Sequence, residues 1–367
     1  MKVKKRLLLL ITIAILAIIV GSFNTTILPD KYFNDANLIA NDPYNEKGLV
    51  GSYSFSMWFY DVLGLNKIPF PLVSLIQLII IFVIIKRLGI PKNFGKLTLR
   101  NSVVWVSLLL FSVYLSMPSK EFINFIYISL ICGVLISSRI KLRKKVIFVC
   151  LLLLFFSFWF RPYYLLVPFL GIGLYFLSRL EFKSRTVSNI FWGIMIACFF
   201  SFSYGFIKGE FMSESSREKL NKRRMGREDS QTMIVSPVET DTAIGEGVGI
   251  FYGFFSVNLP LNGLKFFYKP QVVAFVIWQS LMFILLVYFY SKCMRNRQKY
   301  RQEEWLFHFV FAYLITQGVF EPDLGSAIKH KLGVFPIIYL AFYFDQNMIS
   351  EYKKRYKYVL KDKVENH

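Results

Sequence analysis

Apolar stretches recur along the whole chain, at 7–23, 68–85, 102–117, 122–138, 146–160, 163–178, 188–206, 272–290, 304–320 and 332–346, and the charged residues gather between them. A helix crossing about 30 Å of hydrocarbon needs roughly 17 to 25 mostly apolar residues. The pattern therefore predicts an all-α polytopic integral membrane protein of about ten transmembrane helices, forming one transmembrane domain over 1–367. The basic start (Lys2, Lys4, Lys5, Arg6) followed by Leu7 to Val20 reads as a first transmembrane helix, not a cleaved signal.

Alternate connections carry the positive charge: Lys86 to Arg100, Arg139 to Lys145, Arg179 to Arg185, Lys292 to Arg301 and the tail from Lys353 to Lys363. By the positive-inside rule these connections and both termini are cytoplasmic. The opposite loops are then 24–67, 117–121, 161–162, 207–271 and 321–331, with 207–271 a single large extracytoplasmic loop. Four polar clusters fall in these outer loops, around Asp35, Pro118 to Glu121, Arg161 to Tyr164 and Glu321 to Lys331. Ionisable groups are costly near a bilayer and collect on one face when they line a site.

Composition agrees with this picture, with 55% hydrophobic and 18% aromatic residues and a mean hydropathy of +0.46. The net charge of +21 is spread over short runs between apolar segments, which reads as topology and excludes a nucleic-acid partner. Cys132, Cys150, Cys198 and Cys293 lie in apolar segments or at a basic edge, so no disulfide framework is expected, and no Cys/His spacing suggests a metal site.

The large loop divides into a charged half and an apolar half, Ile244 to Tyr268, expected to lie on or dip into the membrane. Gly245, Gly247 and Gly249 have no strand before them, so they read as hinge glycines ahead of an interfacial helix. The basic run Arg217, Lys219, Lys222, Arg223, Arg224 and Arg227 could hold a polyanion or lipid phosphates, or form a solvated helix face.

Of the first loop's acids, Asp42 before Pro43 reads as a turn, whereas Asp35 is a candidate general base. Ser119 can cap the next helix and Glu121 complements its dipole, but Lys120 opposes that dipole, a conflict an anion above the tip would remove. Arg161 ends an apolar run where bilayer meets water, and its planar fork suits phosphate oxygens; pairing with Glu121 or Asp323 is the structural alternative. In Glu321 to Lys331, His330 is a candidate base, since an ordinary imidazole changes charge near pH 6.5, and Lys329 and Lys331 could neutralise a diphosphate. His308 and His367 have no motif around them and read as structural.

An acidic first loop, the Ser119-Lys120-Glu121 tip, the Arg161-Pro162-Tyr163 helix start and Gly325-Ser326-Ala327-Ile328-Lys329-His330-Lys331 followed by Pro336 resemble bacterial O-antigen and capsular repeat-unit polymerases. They are also similar to the related polyprenyl-linked-sugar glycosyltransferases of the GT-C superfamily. The resemblance consists of scattered short motifs; Gly171 and Gly173 bracket by one residue each way the glycine that the polymerases place after their arginine. It implies a bacterial cytoplasmic (inner) membrane enzyme that joins undecaprenyl-diphosphate-linked repeat units on the outer face. Arg161, Lys120, Lys329 and Lys331 would hold the diphosphate, with Arg223, Arg224 and Asp323 in the substrate-binding set. His330 or Asp35 would be the base, with Glu121 as a further catalytic carboxylate. No cofactor is implied, apart from a divalent metal if the GT-C likeness extends that far. Membrane lipids, a chain-length regulator and a flippase are the implied partners. A single-sugar transferase, a polysaccharide flippase and a membrane sugar acyltransferase remain alternatives, although apolar span centres weigh against transport.

Overall fold

The computed structural model describes residues 5–180, 184–225 and 232–346. The expected cytoplasmic tail, Arg227, Lys2, Lys4 and His367 lie outside the described residues. The described residues form helices α1 Lys5–Ser22, α2 Asn24–Ile27, α3 Asn34–Asn41, α4 Ser52–Val62, α5 Phe70–Leu88, α6 Leu99–Tyr114, α7 Lys120–Ile136 and α8 Leu142–Trp159. Then follow α9 Leu166–Leu177, α10 Arg185–Lys208, α11 Lys219–Arg224, α12 Ala243–Asn258, α13 Pro270–Arg295, α14 Glu304–Phe320, α15 Leu324–Gly333 and α16 Phe335–Phe342. Among the described residues there is no strand, only an isolated bridge between Met233 and Asp323.

Among the described residues four helices, α1, α5, α10 and α13, are long and apolar enough to cross a membrane. At about 1.5 Å per residue they rise roughly 27 to 39 Å, against about 30 Å of hydrocarbon. Much of their apolar surface has no protein over it: Leu8, Ile15 and Ile19 on α1, Ile79 on α5, Phe199 on α10 and Ile284 on α13 are exposed. An all-helical protein with such uncovered faces is built for an apolar solvent. Leu99–Tyr114 and Pro162–Leu177 are apolar but shorter. The stretch 332–346, which reads as one span, is instead cut at Val334 between α15 and α16. Gly333 and Pro336 explain the break: a Cβ at Gly333 would stand 2.7 Å from Asn124 Nδ2, and proline opens α16 from its first turn.

The sequence predicts one domain over 1–367; the contacts of the described residues gather into two compact units. The first takes in Met1–Leu152, Trp159–Arg161 and Leu332–His367, the second Leu153–Phe158 and Pro162–Lys331. In the first, α1 packs on α5 and α6, and α7 packs on α4, α5 and α16. Phe111 of α6 centres that core, edge-on to Phe125 and Phe335 at 5.4 and 5.5 Å.

In the second unit α14 is the axis, packed by α9, α10, α12 and α13. The glycines read as hinges lie within α12, and Gly249 and Gly253 mark the face it turns to its neighbours. A Cβ on Gly253 would collide with the Gly318 carbonyl of α14, and one on Gly318 would come 2.7 Å from Phe254 Cα. The spacing Gly245, Gly249, Gly253 is the small-residue stripe that lets helix backbones approach closely. His308 is buried as expected of a structural residue, 3.2 Å from both Glu304 Oε1 and the Tyr290 hydroxyl. The four cysteines are free and buried.

Candidate functional site

In the first unit, polar chemistry gathers at the start of α7. Ser119 caps the helix, its hydroxyl accepting from Phe122 N–H at 3.2 Å, as its sequence position suggests. The Lys120 ammonium, buried against the helix dipole, sits 3.5 Å above the Tyr53 ring and 3.8 Å from Asp35 Oδ2. Tyr53 donates its hydroxyl to Asp35 Oδ1 at 2.8 Å. The anion predicted to relieve Lys120 is thus supplied in part by Asp35 itself. Burial, and then the Asp35 carboxylate, push the Tyr53 phenol well above its ordinary range, so it stays a donor.

One residue further on, Glu121 is fully buried and accepts a 2.7 Å hydrogen bond from Arg161 Nη2, whose side chain is 4% exposed. This is the structural pairing weighed as the alternative for Arg161. In the first loop, Asp42 forms the expected turn, with left-handed backbone (φ 40°) and Oδ1 accepting from Glu46 N–H at 2.8 Å. Lys47 and Asp61 make an exposed ion pair at 2.6 Å that holds the Asp61 carboxyl below its ordinary range. Among the described residues, no three His, Cys, Asp or Glu side chains converge to hold a metal ion.

In the second unit the C-terminal end of α14 meets α15. Gln317 donates to Glu321 Oε2 at 3.1 Å and to the Ala327 carbonyl at 3.2 Å. The same Glu321 oxygen lies 2.9 Å from His330 Nδ1. Glu321 is buried and the His330 side chain is 19% exposed, so the imidazole stands between a buried carboxylate and the surface. A carboxylate on Nδ1–H assigns the lone pair to Nε2, the tautomer a general base needs. Lys331, next in sequence, is 1% exposed and donates to the Val257 carbonyl of α12 at 3.1 Å. Burial pulls its ammonium down to about 7, against the opposing attraction of Glu321.

Asp323 organises the entry to α15. It accepts from Ser326 N–H and Oγ, each at 2.8 Å, and from Arg224 Nη1 at 2.8 Å. The strand-like contact of Ile234 N–H with the Pro322 carbonyl, 2.8 Å, and Leu324 N–H with Thr232 O, 3.2 Å, ties this corner to the loop after α11. Arg223 is exposed on α11 and Lys329 is partly exposed on α15.

Arg217, read from the sequence as part of a basic run for a polyanion or a solvated helix face, lies instead in a π-helical turn, Glu214–Glu218, and is wholly buried. Its Nη1 donates to the Gly249 and Gly318 carbonyls at 3.2 and 3.0 Å, and its Nε to Glu218 at 3.1 Å. The residues around it had a readable signal in the Gly249/Gly253 stripe. Arg217 itself did not, since it sits in a charged run that looks solvated. The residue that the sequence reading missed is Glu246; it is buried on α12 and accepts from the hydroxyls of Ser201 and Ser213.

No family model, curated protein or solved structure matches this chain. The class that the fold defines is an all-helical protein with four helices, among the described residues, fit to cross a membrane.

Proposed function

We propose that this protein is a membrane glycosyltransferase, a polysaccharide polymerase that joins undecaprenyl-diphosphate-linked repeat units on the outer face of a bacterial cytoplasmic membrane. The full reading has about ten helical crossings, cytoplasmic termini, and outer loops that carry the polar clusters. The observation that carries it is the hydrogen bond of Glu321 to His330 Nδ1, 2.9 Å long, at the partly exposed edge of a buried corner. In the reaction, a sugar hydroxyl of one lipid-linked unit attacks the anomeric carbon of another. The new glycosidic C–O bond forms as the bond to the diphosphate breaks; Nε2 of His330 takes the hydroxyl proton and the diphosphate leaves with the electron pair. Arg223 and Arg224 of α11, with Lys329 of α15, are the cations proposed to meet that leaving group, where fixed positive charge favours the transition state. A single-sugar transfer with Asp35 as base is the second reading, favoured by the Tyr53 hydroxyl and Lys120 ammonium that orient Asp35.

The test is surface-polysaccharide length on gels from a deletion strain complemented with wild type, His330→Ala, Asp35→Ala or Arg223→Ala/Lys329→Ala. The polymerase reading expects a ladder from wild type and a single-repeat band from His330→Ala protein that reaches the membrane. A ladder retained by His330→Ala but lost by Asp35→Ala would move the base to Asp35. A ladder that survives deletion of the protein would overturn both readings.

A further inference from the structure

Glu321, which holds the imidazole of His330, leaves the last turn of α14 at a point where the helix cannot complete its own hydrogen bonds. The Glu321 N–H bonds to the Gln317 carbonyl at 2.9 Å. The next carbonyl, that of Gly318, would take its donor from residue 322, which is proline and has no N–H. Gly318 is buried, and a buried carbonyl without a donor is costly. The donor comes from outside the helix: Nη1 of Arg217 bonds to the Gly318 carbonyl at 3.0 Å.

Arg217 is fitted to this place from two sides. The π-helical turn Glu214–Glu218 carries it, a geometry that is rare and found mostly at functional sites. Across from it, α12 leaves room for the guanidinium by having no side chains at Gly249 and Gly253. A Cβ on Gly253 would collide with Nη1, and one on Gly249 would stand 3.1 Å from Nη2. Nη1 also donates to the Gly249 carbonyl at 3.2 Å, and Nε to Glu218 at 3.1 Å. The buried charge lies at the negative end of the α14 dipole, which offsets part of its desolvation.

We propose that Arg217 is a positioning residue for the Glu321–His330 pair: its guanidinium supplies the C-terminal cap that Pro322 denies to α14, and so fixes the turn from which Glu321 holds Nδ1 of His330. Gly318 lies three residues before Glu321, within one helical turn. With its carbonyl left without a donor, that turn loosens and the carboxylate leaves its 2.9 Å contact with the imidazole. The imidazole then loses the acceptor that keeps its proton on Nδ1 and its lone pair on Nε2. Arg217 and the exposed Arg223 belong to one basic run, yet Arg217 acts on the helix end and not on a substrate. The consequence for catalysis rests on the reading of His330 as the base; the cap does not.

The chain has three histidines, His308, His330 and His367, so histidine-selective ¹⁵N labelling of the membrane-reconstituted protein gives a small set of imidazole signals. The His330 signal is assigned by its loss in His330→Gln, and that of His308 likewise by His308→Gln. At about pH 9, above the ordinary imidazole range, wild-type His330 is expected to show one tautomer, with the proton on Nδ1. Arg217→Met should turn it into a mixture with the Nε2–H form and leave His308, on the same helix as Gly318 but bonded to Glu304 and Tyr290, where it was. Arg217→Gln, too short to reach the Gly318 carbonyl, should do the same, and Arg217→Lys, which keeps a long cationic donor, should restore the Nδ1–H signal. An unchanged His330 signal in whichever of Arg217→Met and Arg217→Gln folds overturns the proposal, even if the polysaccharide ladder is lost, since the arginine would then meet substrate. Equal disturbance of His308 and His330, or failure of both variants to fold, also overturns it by making Arg217 a support of the whole unit. A mixed tautomer together with an intact ladder in His330→Gln cells would instead keep the cap and overturn the base.

Discussion

Arg161 donates from Nη2 to Oε1 of Glu121 at 2.7 Å, with side-chain exposures of 4% and 0%. Two charges so far from water attract each other strongly but are costly to bury, and removing one takes away compensation from the other. Arg161→Ala is expected to destabilise the protein by about 3–5 kcal/mol, measured as unfolding in detergent. Replacing both, as Arg161→Met with Glu121→Leu, should recover most of that loss. A double variant as unstable as the single one would show that the pair is not the source of the cost. If the double variant is stable and makes no polysaccharide ladder, the arginine also meets substrate; if it makes one, the pair is structural.

The Asp35, Tyr53 and Lys120 cluster should behave in the opposite way. Asp35 is 34% exposed and its contact with Lys120 is 3.8 Å long, so solvent screens most of the attraction. Asp35→Asn should change stability by less than about 1 kcal/mol, and Tyr53→Phe, which removes the 2.8 Å donation to Asp35, by about 1 kcal/mol. Loss of activity in a folded Asp35→Asn protein would then report chemistry. A large fall in its melting temperature would remove Asp35 from the list of candidate bases.

Glycines on α12 separate by face. Gly249→Ala, Gly253→Ala and Gly318→Ala each place a Cβ against a neighbouring backbone or the Arg217 guanidinium, and overpacking of this kind costs about 1–3 kcal/mol. At Gly247 a Cβ meets only Phe202, at 3.9 Å. Gly247→Ala should be neutral or stabilise by up to about 1 kcal/mol through helix propensity. Equal effects at 247 and 253 in a thermal melt would refute the close crossing of α12 and α14.

The apolar runs of α1, α5, α10 and α13 were legible because a long uninterrupted stretch has few alternatives. The Ser119 cap and the Asp42 turn were legible because both are local: the acceptor and its donor lie within four residues. Pairings across sequence were not. Arg161 and Glu121 stand 40 residues apart, and nothing local distinguishes an arginine that will be paired from one that waits for a phosphate. The α12 glycines were misread for a related reason. Gly is a poor helix former in isolation, and only the partner helix makes its missing side chain an advantage. Lys331 was read with Lys329 as a cation for a diphosphate because neighbours of like charge usually share a solvated face, yet α15 turns Lys331 inward to Val257 and leaves Lys329 partly exposed.

That inward turn makes stability depend on pH in a predictable direction. The Lys331 amine titrates at about 7 in the folded protein, below the ordinary 10.5 that it regains on unfolding. Between those values the unfolded chain holds a proton that the folded chain has released, so stability rises with pH across that interval. Below about 7 both states are protonated and this contribution is lost. Lys331→Met removes the titration while keeping the length of the side chain. The difference in unfolding midpoint between wild type and Lys331→Met should therefore shrink in favour of wild type as the pH is raised from about 7 to about 9. The lost hydrogen bond to Val257 shifts the variant by an amount that does not vary with pH, so the slope carries the information. Parallel pH profiles for the two proteins would mean that Lys331 stays charged in the fold, and Glu321 would then be compensated by the lysine as well as by the imidazole.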